Sequence, residues 1–172
     1  TGKLTLNGTG SVELAVAEAG TYALAYQLCE KLNSANCDTA TVTVSVSAAV
    51  IDAIDDTAGP VSGTGSHSNV ITNVLANDTL NGVAVNANAV NLTTAVADPT
   101  GKLTLNGNGS VDLAIAAAGT YTLTYQICEK LNPANCSTAI VSVSVTAPVI
   151  HAVADSAGPV VGAVAHVGVI AD

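Results

Sequence analysis

The sequence contains no tryptophan, phenylalanine, methionine or arginine, and its four basic residues are all lysines. Against thirteen acidic residues, they leave a formal net charge of -9. Nucleic acids and anionic membranes are bound by clustered cations, so this charge argues against a nucleic-acid partner. No apolar run approaches the roughly 18 residues of a membrane span, so we expect no membrane insertion in this segment. The charge instead favours solubility and self-repulsion along an extended polymer.

Motifs of common catalytic sites are also missing. The sequence has no glycine-rich phosphate loop before a helix, no Gly-x-Ser-x-Gly turn and no supported Ser/His/Asp set. We therefore expect no catalytic residues, no enzymatic activity and no cofactor other than a calcium ion, considered below.

The apolar residues are mainly Ala, Val, Leu and Ile, and tyrosine is the only aromatic type. A core of small β-branched side chains fits a thin sandwich of two sheets. No segment shows a sustained 3.6-residue period, and residues 114–118 are too few for a stable helix. The composition predicts an all-β fold.

An internal repeat organises the chain. Residues 1–49 align without gaps on residues 100–148, with 36 identities in 49 positions and an offset of 99 residues. Residues 149–172 realign in turn with residues 50–73. We therefore predict the C-terminal half of one repeat at 1–49, a complete repeat at 50–148 and the N-terminal part of the next at 149–172. We interpret the chain as an excerpt from a longer tandem array.

Apolar and polar residues alternate along 118–128 and again along 136–145, which is the period of half-buried strands. Cys128 and Cys136 both fall on the polar side of this alternation. If the two strands pair antiparallel, both thiols lie on the outer face at the loop end. The residues predicted to face the core are Tyr121, Leu123, Tyr125, Ile127, Val141, Val143 and Val145.

Two cysteine pairs share the spacing Cys-x7-Cys: Cys29 with Cys37, and Cys128 with Cys136. Zinc ribbons use shorter pairs and need four ligands, so this spacing favours disulfides in an oxidising compartment. Each disulfide would close a nine-residue ring, which the chain-entropy model values at about 2–3 kcal/mol.

The remaining pattern predicts about seven short strands in each 99-residue unit. Because no Pro/Gly/Ser-rich spacer separates the repeats at 47–56, we expect a short and rather stiff junction. Within the first segment, Leu4 and Leu6 should face Val12 and Leu14 in a hairpin. The predicted elements of the complete unit are a loop at 57–68, a strand at 69–75, a turn at 76–82, one or two strands at 83–98 and a second hairpin at 102–113.

The complete repeat contains the turn Val-Leu-Ala-Asn-Asp at 74–78, which is preceded by Asp55 and Asp56. It is followed by Gly-Lys-Leu-Thr-Leu-Asn-Gly at 101–107 and Gly-Thr-Tyr at 119–121. This order of motifs resembles bacterial immunoglobulin-like (cadherin-like) repeats. Such repeats are strung in tandem in very large secreted and cell-surface proteins. The resemblance implies immunoglobulin-like β-sandwiches in an extracellular array that spans distance, adheres, or builds a fibre or matrix, without catalysis.

The Gly-x-Tyr at 119–121 and at 20–22 resembles the corner that opens strand F of immunoglobulin-type sandwiches. In that corner the tyrosine hydroxyl ties back to the preceding backbone, which is the role implied for Tyr22 and Tyr121. Leu24 and Leu123 stand where an antibody domain has its inter-sheet cysteine, so a disulfide here is a different one, within a hairpin.

Related cadherin-like arrays bind calcium at domain junctions through Asp and Asn oxygens. The next copy carries His151 and Ala154 in place of Asp52 and Asp55, which are two of the five candidate ligands named below. A site that needs all five ligands therefore cannot recur at every repeat. The alternative is that Asp56 and Asp78 cap turns. His67 and His166 recur in the predicted loop without accompanying metal ligands, and we expect them to be solvated. The calcium candidates are Asp52, Asp55, Asp56, Asn77 and Asp78.

Three functions are compatible with the pattern. The first is a structural repeat that gives extension and mechanical durability, with neighbouring repeats as its partners and lateral self-association between fibres. The second is an adhesive module for glycan or host protein, although the four tyrosines occupy predicted core positions instead of exposed loops. The third is a fibre subunit completed by a neighbour's strand, since residues 149–172 correspond to a part that residues 1–49 lack. The counterpart of 74–99 would still be missing in that case.

Overall fold

The structure is a computed structural model that describes residues 2–165, 167, 168 and 170. His166 and part of the predicted third repeat segment therefore lie outside the described residues. The all-β prediction is confirmed, and among the described residues no helix is long and apolar enough to cross a membrane. The strands are β1 Leu4–Leu6, β2 Val12–Leu14, β3 Gly20–Cys29, β4 Cys37–Val46, β5 Ile51–Asp52, β6 Asp56–Ser62, β7 His67–Ile71, β8 Thr79–Leu80, β9 Val83–Ala84, β10 Val90–Val96, β11 Leu103–Leu105, β12 Val111–Leu113, β13 Gly119–Glu129 and β14 Cys136–Thr146; one 3₁₀ helix spans Val74–Ala76.

Residues 50–146, here called the central unit, form a sandwich. One sheet has the strand order β10-β13-β14-β6, and the other has the order β11-β12-β7. A third small sheet has the order β5-β8-β9; β5 precedes β6 in the chain, and β8 and β9 lie between β7 and β10. Strands distant in sequence thus become neighbours, as in immunoglobulin-like sandwiches, and the fold class is as the sequence predicts.

The longest ladder joins β13 to β14 in antiparallel register, from Gly119 opposite Val145 to Cys128 opposite Cys136. The alternation along these strands decides which side chains are buried. Tyr125 and Ile127 are fully buried, and Tyr121 packs partly buried against the core. The predicted phase of both strands is confirmed.

The predicted hairpin of the first segment is also confirmed. Leu4 lies opposite Leu14 and Leu6 opposite Val12, and β11 pairs with β12 in the equivalent register. In the second hairpin Gly109 has a φ of +88°, and a Cβ at this position would overlap Asn73 Oδ1. Glycine is therefore required there by both backbone conformation and space.

The prediction of a loop at 57–68 is wrong. Residues Asp56–Ser62 form β6, which pairs in parallel with the outer edge of β14. Gly59 and Pro60 are accepted because β6 is an edge strand and its register shifts between Val143 and Val145. At Gly59 the two backbones approach so closely that a Cβ would overlap the carbonyl oxygen of Ser144.

The predicted strand at 69–75 is too long and begins too late. Strand β7 covers His67–Ile71, and Val74–Ala76 form the 3₁₀ helix. Asn73 ends the extended stretch because its Oδ1 accepts a hydrogen bond from the backbone N–H of Leu75 at 3.1 Å. His67 belongs to a strand and not to a loop, with its Nε2 2.7 Å from the carbonyl oxygen of Ser62. The prediction of one or two strands at 83–98 is confirmed by β9 and β10.

The first segment, residues 2–49, repeats four of these strands without the others. Its β1 pairs with β2 and its β3 with β4, each as a two-stranded sheet. Tyr26 is 37% exposed, whereas its equivalent Tyr125 is fully buried. Leu28 is 73% exposed, whereas its equivalent Ile127 is fully buried. The apolar face of the first segment is therefore largely uncovered in this chain.

We predict that Gly109→Ala lowers the free energy of unfolding of the central unit by about 1–3 kcal/mol, because the new Cβ is both strained and in collision with Asn73. The matched control is Gly10→Ala in the first segment. Gly10 has the same conformation, with a φ of +89°, but no atom lies within 4 Å of its added Cβ. Hydrogen exchange of the β13 amides measures the loss in the central unit. Equal protection of β13 in both variants would contradict the steric argument.

Candidate functional site at the disulfide hairpin and the repeat junction

Each long hairpin is closed by a disulfide at its loop end. The Sγ–Sγ distance is 2.08 Å between Cys29 and Cys37, and 2.07 Å between Cys128 and Cys136. Both bridges join residues directly opposite each other in the ladder. They lie on the outer face, on the side away from the buried tyrosine and valines, so the bridge fastens the strand ends without occupying core volume.

The loop between the bridged cysteines is organised by a glutamate. Glu129 is 6% exposed, and its Oε2 accepts a hydrogen bond from Asn135 Nδ2 at 3.0 Å. The backbone N–H of Glu129 also donates to the carbonyl oxygen of Asn135 at 3.0 Å. The hydrogen bond from Asn135 lowers the pKa of Glu129. In the first segment Glu30 accepts the same kind of bonds from Asn33 and Asn36, at 2.8 and 3.0 Å.

This loop also contacts the preceding segment. Asn135 Nδ2 donates to the carbonyl oxygen of Ala49 at 2.7 Å. Asn132 Oδ1 accepts a hydrogen bond from the backbone N–H of Ala19 at 2.6 Å. The disulfide loop of the central unit therefore binds both the chain that enters the unit and the corner before β3. Sequence reasoning missed this role, although the repeated Glu-Lys-Leu-Asn-x-Ala-Asn between the cysteines was the available signal.

A second pair of contacts holds the chain where it enters the central unit, at Val50. Val50 donates its N–H to Asn81 Oδ1 at 2.9 Å, and the Asn81 N–H donates to the carbonyl oxygen of Val50 at 2.7 Å. Asn81 can make both bonds because it adopts a φ of +55°, which asparagine tolerates better than most residues. The junction at 49–50 is thus held by hydrogen bonds from two separate loops.

The Val-Leu-Ala-Asn-Asp turn fastens the next stretch of the chain to the core. Asp78 is fully buried, and its Oδ1 accepts hydrogen bonds from the Ile54 N–H at 2.8 Å and from the Tyr125 hydroxyl at 2.9 Å. Asn77 Nδ2 donates to the carbonyl oxygens of Ile54 and Asp55 at 3.2 and 3.3 Å. The turn thereby connects residues 54–55 to strand β13.

Asp56 and Asp78 are an unfavourable pair of carboxyl groups. In each, Oδ2 is buried without a hydrogen-bond partner. Burial, followed by the charge of Asp78, raises the pKa of Asp56 to about 6. Burial also raises the pKa of Asp78. Burial raises the pKa of Tyr125 as well, so its hydroxyl stays protonated between the two carboxyl groups.

The five calcium candidates do not converge as one set of ligands. Asp55 Oδ1 instead accepts a hydrogen bond from the Ile140 N–H of β14 at 2.7 Å, and Asp52 is exposed on β5. Within the described part of the chain, no three His, Cys, Asp or Glu side chains are grouped so that they could hold a metal ion. The contacts of Asp78 and Asn77 with the backbone of residues 54–55 give both side chains a structural role in this turn.

Both corner tyrosines bond back to the turn before their strand. The Tyr121 hydroxyl donates to the carbonyl oxygen of Ala117 at 3.0 Å, and the Tyr22 hydroxyl donates to that of Glu18 at 2.8 Å. The spacing of four residues is the same in both copies. The Tyr22 bond holds the corner that presents Ala19 to the disulfide loop of the central unit.

No protein-family model matches the chain, and the search of curated proteins finds no match. Solved structures with partial similarity include extracellular cadherin domains. Domains EC1-3 of mouse protocadherin-24 have a TM-score of 0.38 at 20% identity, over 83% of this chain and 51% of that one. The protocadherin GammaB4 extracellular domain has a TM-score of 0.33 at 15% identity, over 84% of this chain and 26% of that one. This chain spans about half or less of those chains.

We predict that replacing Cys128 and Cys136 together by serine lowers the free energy of unfolding of the central unit by about 2–3 kcal/mol, because the unfolded chain regains the freedom of a nine-residue ring. Replacing Cys29 and Cys37 by serine is the matched control, since it opens the same ring outside the central unit. Denaturant unfolding followed by hydrogen exchange in β13 and β14 distinguishes the two. The argument fails if both double variants alter β13 protection equally.

We predict that Asp56→Asn stabilises the central unit at pH 7.5 by about 1–2 kcal/mol, with allowance for the partial exposure of the side chain, and has little effect at pH 4. A carboxyl group whose pKa is raised on folding favours the folded state at low pH, and this stability is lost as pH rises through about 6. Glu129 has the opposite effect on stability, because its pKa is lowered on folding: its contribution is lost as pH falls below the usual pKa range of a glutamate. Through Asp56, the stability of the central unit should therefore be higher at pH 4 than at pH 7.5.

The measurement is the unfolding midpoint of Asp56→Asn and of the parent chain between pH 4 and pH 8. Glu13→Gln, which removes one charge from an exposed position on β2, is the control for net charge. A gain that is the same at every pH, or that Glu13→Gln reproduces, would show that burial of the Asp56 carboxylate is not its cause.

Proposed function

We propose that this chain is a non-catalytic structural repeat of an extracellular bacterial fibre or giant surface adhesin. In this function each β-sandwich is a rigid bead, and the partners of a bead are its neighbours in the same array. We assign residues 1–49 to the end of one repeat, 50–148 to a complete one and 149–172 to the beginning of the next. The two disulfides support an extracellular setting, since such bridges persist in oxidising compartments.

The observation that carries the proposal is that the disulfide loop of the central unit is also its contact with the unit before it. Asn132 binds the corner at Ala19, and Asn135 binds the connecting chain at Ala49. The bridge between Cys128 and Cys136 fixes the ends of this loop. One disulfide thus stabilises both the β-sandwich and its contact with the preceding unit, and in an array the stability depends on both of these.

The same loop occurs in the first segment with the same internal hydrogen bonds. Asn33 and Asn36, the equivalents of Asn132 and Asn135, bond to Glu30. Because both copies carry these side chains, each repeat is equipped to contact the corner of the repeat before it. The arrangement propagates along an array without a dedicated linker.

A fibre subunit completed by a neighbour's strand is a second candidate, favoured by the uncovered apolar face of the first segment. An adhesive module for glycan or host protein has less support, since Tyr125 is buried and the hydroxyls of Tyr22 and Tyr121 are used at their corners.

We predict that Asn132→Ala loosens the junction between the first segment and the central unit, because the Ala19 N–H loses its acceptor. Residual dipolar couplings report whether both parts share one alignment. The parent chain should give one common alignment, and Asn132→Ala should give two that differ.

Asn33→Ala is the matched control, since it removes the equivalent asparagine and its bond to Glu30 but leaves the Ala19 contact in place. It should retain the common alignment. Two independent alignments in the parent chain would contradict the proposal of a stiff array.

A further inference from the structure

The two main sheets of the central unit end in four edge strands, and three of these are poor templates for a further strand. β6 carries Pro60, which lacks a backbone N–H. β7 is interrupted at Asn69, whose φ is +53°. β11 has only three residues. Natural proteins protect the edges of their sheets by such devices, which prevent a second chain from adding to the sheet.

The fourth edge strand, β10, lacks these protections. Its residues Val90–Val96 include no proline and no charged side chain. Within the described residues it pairs only with β13, and the register is regular from Val90 to Thr94 before it shifts. Residues 91–97 are exposed apart from Leu92, which is half-buried. β10 therefore offers an accessible and uncharged edge of regular backbone.

A hydrogen bond at the start of the ladder shows which backbone groups face the open edge of β10. Lys130 donates its N–H to the carbonyl oxygen of Ala89 at 2.9 Å. Bonding residues alternate along an antiparallel ladder, so Ala89 and every second residue after it, up to Thr93, direct their N–H and C=O groups to β13. Leu92 and Thr94 direct theirs away from β13. These are the groups that a further strand would bind.

An open groove of about 460 Å³ lies beside the same strand. It is bounded by β10 and by the turn of the β11/β12 hairpin, to which Gly107 and Asn108 belong. Leu75 and Leu92 line its apolar part, and Lys130 is the charged residue among the described residues that line it. The groove leaves room for the side chains that an added strand would place on the inner side of the sheet.

We propose that β10 of one copy of this chain pairs antiparallel with β10 of a second copy, about a two-fold axis at Thr93. Leu92 of each copy then lies opposite Thr94 of the other, and the outward N–H and C=O groups of both residues bind across the axis. Thr93 lies opposite its own copy, and a threonine pair of this kind is favourable in sheets. The contact joins the two four-stranded sheets edge to edge. The inference deepens the proposed structural function, on which it rests, by naming the surface for lateral self-association.

Charge favours a second copy as the occupant of this edge. The chain has a net charge of -9, so two copies repel each other over most of their surface. β10 carries none of this charge, and the neighbouring Lys130 is positive, which suits an acidic partner. The two-fold arrangement also makes the edge its own complement, since the same groups face each other from both copies. In an array each unit would contribute one such contact, so that a weak pairing is multiplied.

The first experiment is light scattering of the 172-residue chain over a range of concentrations. The mass should rise from 16.8 kDa to twice this value and then stay constant, because a two-fold contact closes on itself. Thr94→Pro should raise the concentration of half-dimerisation by about tenfold or more, since it removes an N–H that faces the partner and none that faces β13. Thr94→Val, which keeps this N–H, is the matched control. A chain that stays monomeric overturns the inference, and so does an equal effect of both variants.

Hydrogen exchange gives a readout that needs no substitution. In the separate chain the amides of Asn91 and Thr93 bond to β13, whereas those of Leu92 and Thr94 face the open edge. Dimerisation should protect Leu92 and Thr94 increasingly as concentration rises, and leave the protection of β13 unchanged. If Leu92 and Thr94 are already protected in a chain that light scattering shows to be monomeric, the chain's own residues cover this edge and the inference is overturned.

The third experiment tests the position of the axis. Chains with Thr93→Cys should form a disulfide-linked dimer under mild oxidation, because the two positions lie directly opposite each other, as Cys128 and Cys136 do within the chain. Asn91→Cys is the matched control, since it is also exposed on β10 but its two copies are about 13 Å apart along the paired strands. Its yield of linked dimer should be severalfold lower. Equal yields from the two variants overturn the inference.

These results are separable from the proposed function. A monomeric chain whose first segment and central unit share one alignment would overturn the lateral pairing and leave the stiff structural repeat intact. A dimer that is linked through Thr93→Cys but whose units swivel freely would do the opposite.

Discussion

The central unit depends on the phase in which β13 and β14 are paired. With Cys128 opposite Cys136, the bridge lies outside while Tyr125, Ile127 and Val141 lie inside. A slip of one residue would bring the cysteines to the core and the tyrosine hydroxyl to water. The same register sets the edge to which β6 is added and the position of the loop that reaches the preceding segment. Core, bridge and junction are therefore consequences of one ladder.

Elements with a strict period of two could be predicted from the sequence. The β13/β14 hairpin and the hairpin joining Leu4 to Leu14 follow from alternation alone, because apolar and polar residues alternate along each strand. β6 could not be predicted in this way, since Gly59 and Pro60 interrupt any alternation and the strand exists only because β14 offers it an edge. The 3₁₀ helix was missed because a single asparagine, Asn73, ends the extended backbone.

The site shows the same division. The cysteine pairs and the corner tyrosines are visible as spaced residue types. The junction contacts of Asn132 and Asn135 are not, because a polar loop side chain does not reveal whether its partner is its own loop or the neighbouring unit. The buried carboxyl group of Asp78 is likewise explained only by the structure. It satisfies the Ile54 N–H and the Tyr125 hydroxyl at the cost of lying near Asp56.

The parallel arrangement of β6 and β14 has a consequence for a unit that is pulled along the chain. β6 lies near the entry of the central unit and β14 near its exit, and both run in the same direction. Tension applied at the two ends drives them past each other lengthwise, so the hydrogen bonds between Asp56–Ser62 and β14 are loaded together in shear instead of being peeled one at a time. β6, which could not be predicted from the sequence, is thus the strand that would determine the force at which the unit unfolds.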